Sequence, residues 1–208
     1  MFEKQSASVP SATRTAPVQR RSVERVRTIL DVADVLFGEN GYEATTLKAV
    51  SERSGIPITS IYHYFVDRNQ LEIALLQRHL TQLEERLGAV WSGRSAPRSL
   101  RKAIDVMIDG YLSYFRGHPG FVELWFSGRN PAISDLALAF DRKQAEQLRG
   151  LVFEKKWLRA DTPPLALDLV FEAGNRLFDV AFRQSRTGDD AVVKEARRFI
   201  DAYLETYV

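Results

Sequence analysis

Residues 45–65, TTLKAVSERSGIPITSIYHYF, constrain the fold more than any other stretch of the chain. Two short helical patterns meet there at a glycine. The first runs from about Thr46 to Ser54, with Leu47 and Val50 on one side. Thr45 or Thr46 can cap its start, because a threonine oxygen accepts the free N–H groups of a first helical turn. Gly55 follows the last turn, where a left-handed residue ends a helix at least cost. The second pattern runs from about Ile58 to Phe65. A helix, a short glycine-containing turn and a second helix make a helix-turn-helix, whose second helix enters the DNA major groove.

The second helix has two unlike sides. Ile61 and Phe65 lie four apart and can anchor it to the body. Thr59, Ser60, Tyr62, His63 and Tyr64 offer hydroxyls, ring faces and an imidazole, which suit phosphates, base edges and thymine methyls. Thr46, Tyr62 and Arg68 are expected mainly on phosphates, and Ile58, Thr59, Ser60 and His63 in the groove. Lys48 and Tyr64 complete the candidate DNA-binding set. The competing interpretation is an ordinary helical hairpin with a polar face, and composition alone does not separate the two.

The stretch 22–80 resembles the DNA-binding domain of TetR-family transcriptional regulators. The matching pieces are RVRTILDVADVLFGENGYEATTLKAVSERSG, then IYHYF, then DRNQL. The long first helix, the F..NGY..TT link, the SG turn and the aromatic YHYF follow in the family's order, over roughly the first third of the chain. Two positions depart from the pattern. Pro57 stands where the family more often has a Ser or Thr cap; proline fits a first helical turn but supplies no side-chain cap. Arg68 stands where the family usually has a lysine, and is expected to keep the phosphate contact. The resemblance implies an N-terminal DNA reader and a C-terminal helical domain for dimerisation and effector sensing. It also implies repression, by occupying a promoter until a small molecule releases it.

At 208 residues the chain can hold a small domain and a larger one. Residues 22–66 are expected to form the helix-turn-helix domain, and 67–208 the effector-binding and dimerisation domain. A hydrophobic share of 45% with 27% charged residues is ordinary globular composition. Cysteine is absent, so there is no disulfide framework and no thiolate metal site. No apolar run reaches the ~18 residues of a membrane span, and the first 20 residues lack the apolar core of a secretory signal. A cytoplasmic protein is expected, with no membrane partner. The net charge of +2 says little about nucleic acid, but residues 1–30 hold six basic groups against two acids. The segment 1–21 is rich in Ser, Ala, Pro and Thr without an apolar period, and is expected to be disordered. It is either a basic arm for the DNA backbone or minor groove, or a solvated tail.

An all-α architecture of about nine helices follows from the periodicity. Helix one is expected over Ser22–Glu39, with Val26, Ile29, Leu30, Ala33, Leu36 and Phe37 as its stripe and Asn40-Gly41 as its end. A helix from Asp67 to about Val90 is roughly 35 Å long and is the natural connector between the two ends. Its stripe is Ile73, Leu76, Leu80, Leu83, Leu87 and Val90, and Gly93–Pro97 forms the loop after it. Further helices are expected over 98–116, 119–128, Pro131 or Ser134 to Trp157, Pro163 to Arg186, and Asp189 to the end. No G-x-S-x-G elbow, P-loop, dinucleotide fingerprint or H-E-x-x-H occurs, so no enzyme, cofactor or metal is indicated. His63, His79 and His118 fall in separate elements; His79 is expected at the surface or a boundary.

Aromatic residues crowd the C-terminal half. They are either plain core or the wall of an effector pocket with a few orienting polar groups. The candidate lining is Met107, Tyr111, Tyr114, Trp125, Phe126, Phe140, Gln144, Phe171, Asn175 and Phe178. Gln144 and Gln147 share a face with Phe140 and Leu151, so one or both can point inward, where a buried amide needs a partner. The helix after Pro164 is apolar on more than one side, which calls for cover on more than one side. A two-fold homodimer is therefore expected through the last two helices, using Val170, Gly174, Leu177, Ala181, Ala196, Phe199, Ile200 and Tyr203. The expected partners are a near-palindromic double-stranded DNA operator, a small and mainly apolar effector, and a second copy of the chain. The alternative is a helical ligand-binding or interaction module that no longer binds DNA. Against it, Pro57–Val66 keeps Tyr62 and His63 and contains no acid.

Overall fold

A computed structural model describes residues 15–91 and 96–208. Its described residues form helices α1 (Thr15–Ala44), α2 (Leu47–Ser54), α3 (Ile58–Tyr64), α4 (Arg68–Trp91), α5 (Leu100–Gly117), α6 (Pro119–Phe126), α7 (Pro131–Glu154), α8 (Leu165–Gln184) and α9 (Asp190–Glu205). The all-α architecture read from the sequence is present. Of the expected N-terminal arm, residues 1–14 lie outside the described residues, as do 92–95 of the loop after α4. Residues 15–21 are helical rather than irregular. Ala16, Gln19, Arg20 and Arg21 are good helix formers, and a helix already running from Ser22 extends into them without a new nucleus. At the other end Gly41 breaks α1, at φ 79° and ψ 179°, where Asn40-Gly41 was expected to end it.

Two apolar cores share the molecule. The first holds Ile29, Ala33, Leu36 and Phe37 of α1, Leu47 and Val50 of α2, Ile61 of α3 and Phe65. It runs on into Leu71 and Leu75 of α4 and takes Leu124 from α6. The second holds Leu76, Leu83 and Leu87 of α4 with the inward faces of α5 to α9. Ile73 and Leu80 of the expected α4 stripe are only half-buried, and the Val90 side chain lies outside the described residues. Leu71 and Leu75 fill the face turned to the first core. Thus α4 connects the two cores as expected, but it does not do so alone. Leu124 of α6 lies in the first core, and Phe121 and Trp125 of the same helix lie in the second.

The α1–α6 junction is close because two glycines meet there. A Cβ on Gly120 would stand 2.1 Å from the Asp34 carbonyl oxygen, and one on Gly38 would stand 2.9 Å from Pro119 Cγ. Beside it lies His79, which is buried at 1% exposure rather than superficial. Its Nδ1 is 2.8 Å from the Tyr114 hydroxyl, and its Nε2 is 3.2 Å from Asp34 Oδ1. The α4 stripe misplaces this residue because its polar neighbours come from α1 and α5, far away in sequence.

Helices α8 and α9 pack on each other. This packing covers Val170, Gly174, Ala181, Ala196 and Ile200 within one protomer, and all five are buried. They were expected at a dimer interface, but within one protomer they already belong to the buried core. Sequence shows that α8 has two apolar sides but not which side α9 takes. The side left outward carries Leu169, 45% exposed, with Ala173, Leu177 and Val180; α9 adds Phe199, 55% exposed, and Tyr203.

Candidate nucleic-acid interface and effector cavity

The α2–turn–α3 unit is locked by local hydrogen bonds. Thr46 caps α2, its hydroxyl accepting from the Ala49 N–H at 3.1 Å, which contributes about 1 kcal/mol. Thr45 turns inward instead, donating to the Gly41 carbonyl. Gly55 takes the left-handed conformation at φ 70° and donates to the Ser51 carbonyl. Ser51 Oγ donates to the Ile56 carbonyl at 2.7 Å, and the Ile56 N–H donates to Ser54 Oγ at 3.2 Å. Two serines of α2 therefore fix the Ile56 backbone that leads into α3, whose start at Pro57 has no side-chain cap. Ile61 and Phe65 anchor α3 in the first core.

The outward side of α3 carries Thr59, Tyr62 and His63, all exposed, with Ser60 partly covered. Ile58 and Tyr64 are half-buried and pack against the first core, so they brace the helix more than they extend from it. Thr46 and Lys48 lie exposed at the start of α2. The Lys48–Glu52 pair is 3.9 Å apart and open to water. Such a pair is worth little and leaves the ammonium free for a phosphate.

Arg68 is engaged differently from the expectation. Its Nε donates to Glu72 Oε1 at 2.6 Å, its guanidinium donates to the Tyr42 carbonyl at 2.5 Å, and it stacks over the Tyr42 ring at 4.1 Å. These bonds hold the guanidinium inside the head, where it ties α4 to the segment after the α1 break. The network extends further. Glu72, 1% exposed, also accepts from the Tyr42 hydroxyl and from Asn130 Nδ2 at 2.8 Å. Asn130 caps α7 through the Ala132 N–H, and Glu123 of α6 accepts from the Tyr42 N–H at 2.9 Å. Sequence reading missed Tyr42, Glu72, Glu123 and Asn130. Their partners come from elements up to 81 positions apart, and only the acid at an otherwise apolar α4 position hinted at them.

In the second core a cavity of about 30 Å³ is lined by residues including Met107, Tyr111, Phe171, Asn175 and Phe178, five of the expected set. Asp141, Ile108, Val170, Gly174 and Ile200 complete the lining. Trp125 donates from Nε1 to Asn175 Oδ1 at 3.0 Å, and Phe140 meets Trp125 edge-on. Asp141 and Asn175 also line an outer groove of about 400 Å³ between α7 and α8, together with Trp125 and Phe126. Tyr114 does not reach the cavity, since it is bonded to His79 and Gln82. Gln144 is buried with Nε2 unpaired but is not part of the lining, and Gln147 is exposed.

Asp141 is the polar centre of this region. Its carboxylate accepts from Asn175 Nδ2. Burial pushes its carboxyl up to about 8; the Asn175 bond opposes the rise and Glu172 adds to it. Burial, and then the Asp141 charge, raise the Tyr111 phenol well above its usual range. The Tyr111 hydroxyl is buried without a partner. The sequence signal was an acid on the stripe formed by Ala137, Gln144 and Leu148.

A helix-turn-helix head on an all-helical body with an interior cavity defines the class, and known proteins identify it. Residues 29–75 match the family model for bacterial regulatory proteins of the tetR family, and residues 99–204 match the tetracyclin repressor-like C-terminal domain. A TetR-family transcriptional regulator from Streptomyces coelicolor is 32% identical, covering 88% of this chain and 99% of that one, with a TM-score of 0.64. The HTH-type transcriptional repressor KstR of Rhodococcus jostii (strain RHA1) is 33% identical over 63 residues, or 30% of each chain. This chain therefore matches less than a third of that relative's length. The fatty acid degradation regulator FadR from Bacillus halodurans shares the fold alone, at 15% identity and a TM-score of 0.68 over 85% of this chain and 94% of that one. The chain belongs to the TetR family of bacterial regulatory proteins.

Proposed function

We propose that the protein is a DNA-binding transcriptional repressor that occupies a near-palindromic operator as a homodimer and is released by a small, mainly apolar effector. The observation that carries this is the outward face of α3. Thr59, Tyr62 and His63 stand exposed on a helix that is anchored from behind and carries no acid. Phosphate contacts from Thr46, Lys48 and Tyr62 give affinity, and base contacts from Thr59, Ser60 and His63 give discrimination. Arg68 acts from within, by holding the start of α4. The partner subunit covers the outward side of α8, at Leu169, Leu177 and Val180, with Phe199 and Tyr203 of α9. Two recognition helices related by a two-fold then read half-sites about one DNA turn or more apart.

Release needs only a difference in effector affinity between two conformations; about 1.4 kcal/mol weakens DNA binding tenfold, and DNA weakens the effector by the same factor. Two connections support such coupling. Trp125, bonded to Asn175 at the cavity, shares α6 with Gly120, which abuts α1. Asp141 lies on α7, and Asn130, which caps that helix, bonds Glu72 in the head. The test is selection from a random duplex library with the purified full chain. A near-palindromic motif is expected. Recovery of no enriched sequence, with the protein folded, would favour a module without DNA binding.

A further inference from the structure

We propose that the effector is an organic amine, whose ammonium head seats against Asp141 and whose apolar body lies in the groove between α7 and α8. This rests on the effector-sensing role proposed above for the C-terminal domain. Volume separates head from body. The inner cavity of about 30 Å³ has room for one group the size of a water or an ammonium. The outer groove of about 400 Å³ is walled by Trp125, Phe126 and Leu138 and takes the body. Asp141 and Asn175 line both spaces, so the head reaches the carboxylate from the groove.

Charge selects the head. Asp141 is only 6% exposed, and its one strong partner is the neutral Asn175 amide. A buried carboxylate without a cation is costly and neutralises itself by taking up a proton. An ammonium supplies the missing countercharge. Tyr111 lines the cavity, and its buried, unpartnered hydroxyl oxygen accepts a second ammonium N–H. At the groove rim Asp179 is held between Arg176 and Arg183, and Glu172, whose charge acts on Asp141, is the acid left to attract a cation.

The amine binds as its ammonium form, the Asp141 carboxyl ionises, and its proton leaves to solvent. The titratable and charged groups around this carboxyl are Tyr111 on α5, Asp168, Glu172, Arg176 and Asp179 on α8, and Arg142 on α7 itself; Asp168 is paired with Arg149, Asp179 with Arg176 and Arg183, and α6 and α9 present Trp125 and Ile200. Because the free carboxyl titrates near 8, amine affinity rises about tenfold per pH unit below that value and then levels off.

The experiment is calorimetric titration of the full chain with 4-phenylbutylamine, 4-phenylbutan-1-ol and 4-phenylbutyrate, in two buffers of different ionisation heat. Near pH 6.5 the amine is expected to bind at least about tenfold tighter than the alcohol and to release close to one proton, with the acid weakest. Asp141→Asn should abolish both the preference and the release, and Tyr111→Phe should weaken the amine by a smaller factor. Proton release by the unaltered protein reads the carboxyl even if a variant folds poorly. An amine that fails to bind, an alcohol or acid that binds equally well, or amine binding without proton release overturns the inference. Operator selection is measured without any amine, so a specific operator with no amine binding leaves the repressor proposal standing and removes only this one.

Discussion

At the scale of single residues, the positions that matter most are polar groups inside apolar surroundings. Asp141 binds a proton up to about pH 8 when folded, against an ordinary value of 3.8. Between those limits the folded state holds a proton that the unfolded chain releases, so stability falls as pH rises through the window, by about 1.4 kcal/mol per unit for one such group. Asp141→Asn is expected to flatten that slope between pH 5 and 7 in urea unfolding, and equal slopes in the two proteins would show that the carboxyl is ordinary. Gly120 is a second such position. A methyl there meets the Asp34 backbone, which cannot move aside as a side-chain tip can. Gly120→Ala should cost roughly 1–3 kcal/mol, lowering Tm by about 2–4 °C per kcal/mol for a chain of this size. An unchanged melting curve would mean that α1 and α6 separate freely. Neither position was legible in the sequence. A lone acid at a helical stripe position resembles a surface residue until the neighbouring helix is known, and a glycine says nothing of what approaches it. His79 was misjudged for the same reason.

At the scale of elements, the sequence was legible wherever a helix end carries its own chemistry. Thr46, Gly55 and Asp67 all occupy cap positions, and Ile61 and Phe65 fix which side of α3 faces inward. Legibility failed where the answer depends on a distant partner. Arg68 matched a phosphate-binding position, yet Glu72 and Tyr42 take its guanidinium. The two apolar sides of α8 could not be told apart until α9 covered Gly174 and Val170. The division of labour on the head is testable by anisotropy on a selected duplex. Lys48→Ala should weaken all sequences alike and reduce the salt slope by about 0.9. Thr59→Ala should change which bases are preferred while leaving that slope in place. The reverse pattern would mean that a different side of α3 meets the groove.

At the scale of the whole molecule, two cores are joined through α4, α6 and the Glu72 network, and one outward apolar face remains on α8 and α9. Phe199 and Leu169 are the most exposed large apolar groups on that face. Phe199→Asp combined with Leu169→Asp is expected to give a folded monomer in sedimentation, with weakened operator binding. A dimer that survives both charges would place the interface elsewhere. In the proposed dimer, two copies of this chain read one symmetric site. The most direct measurement is the stoichiometry and affinity of the full chain on its selected duplex, with both half-sites intact and with one scrambled. Two protomers per intact duplex are expected, with a large loss of affinity when either half-site is scrambled. One protomer per duplex, bound equally well to the scrambled site, would contradict it.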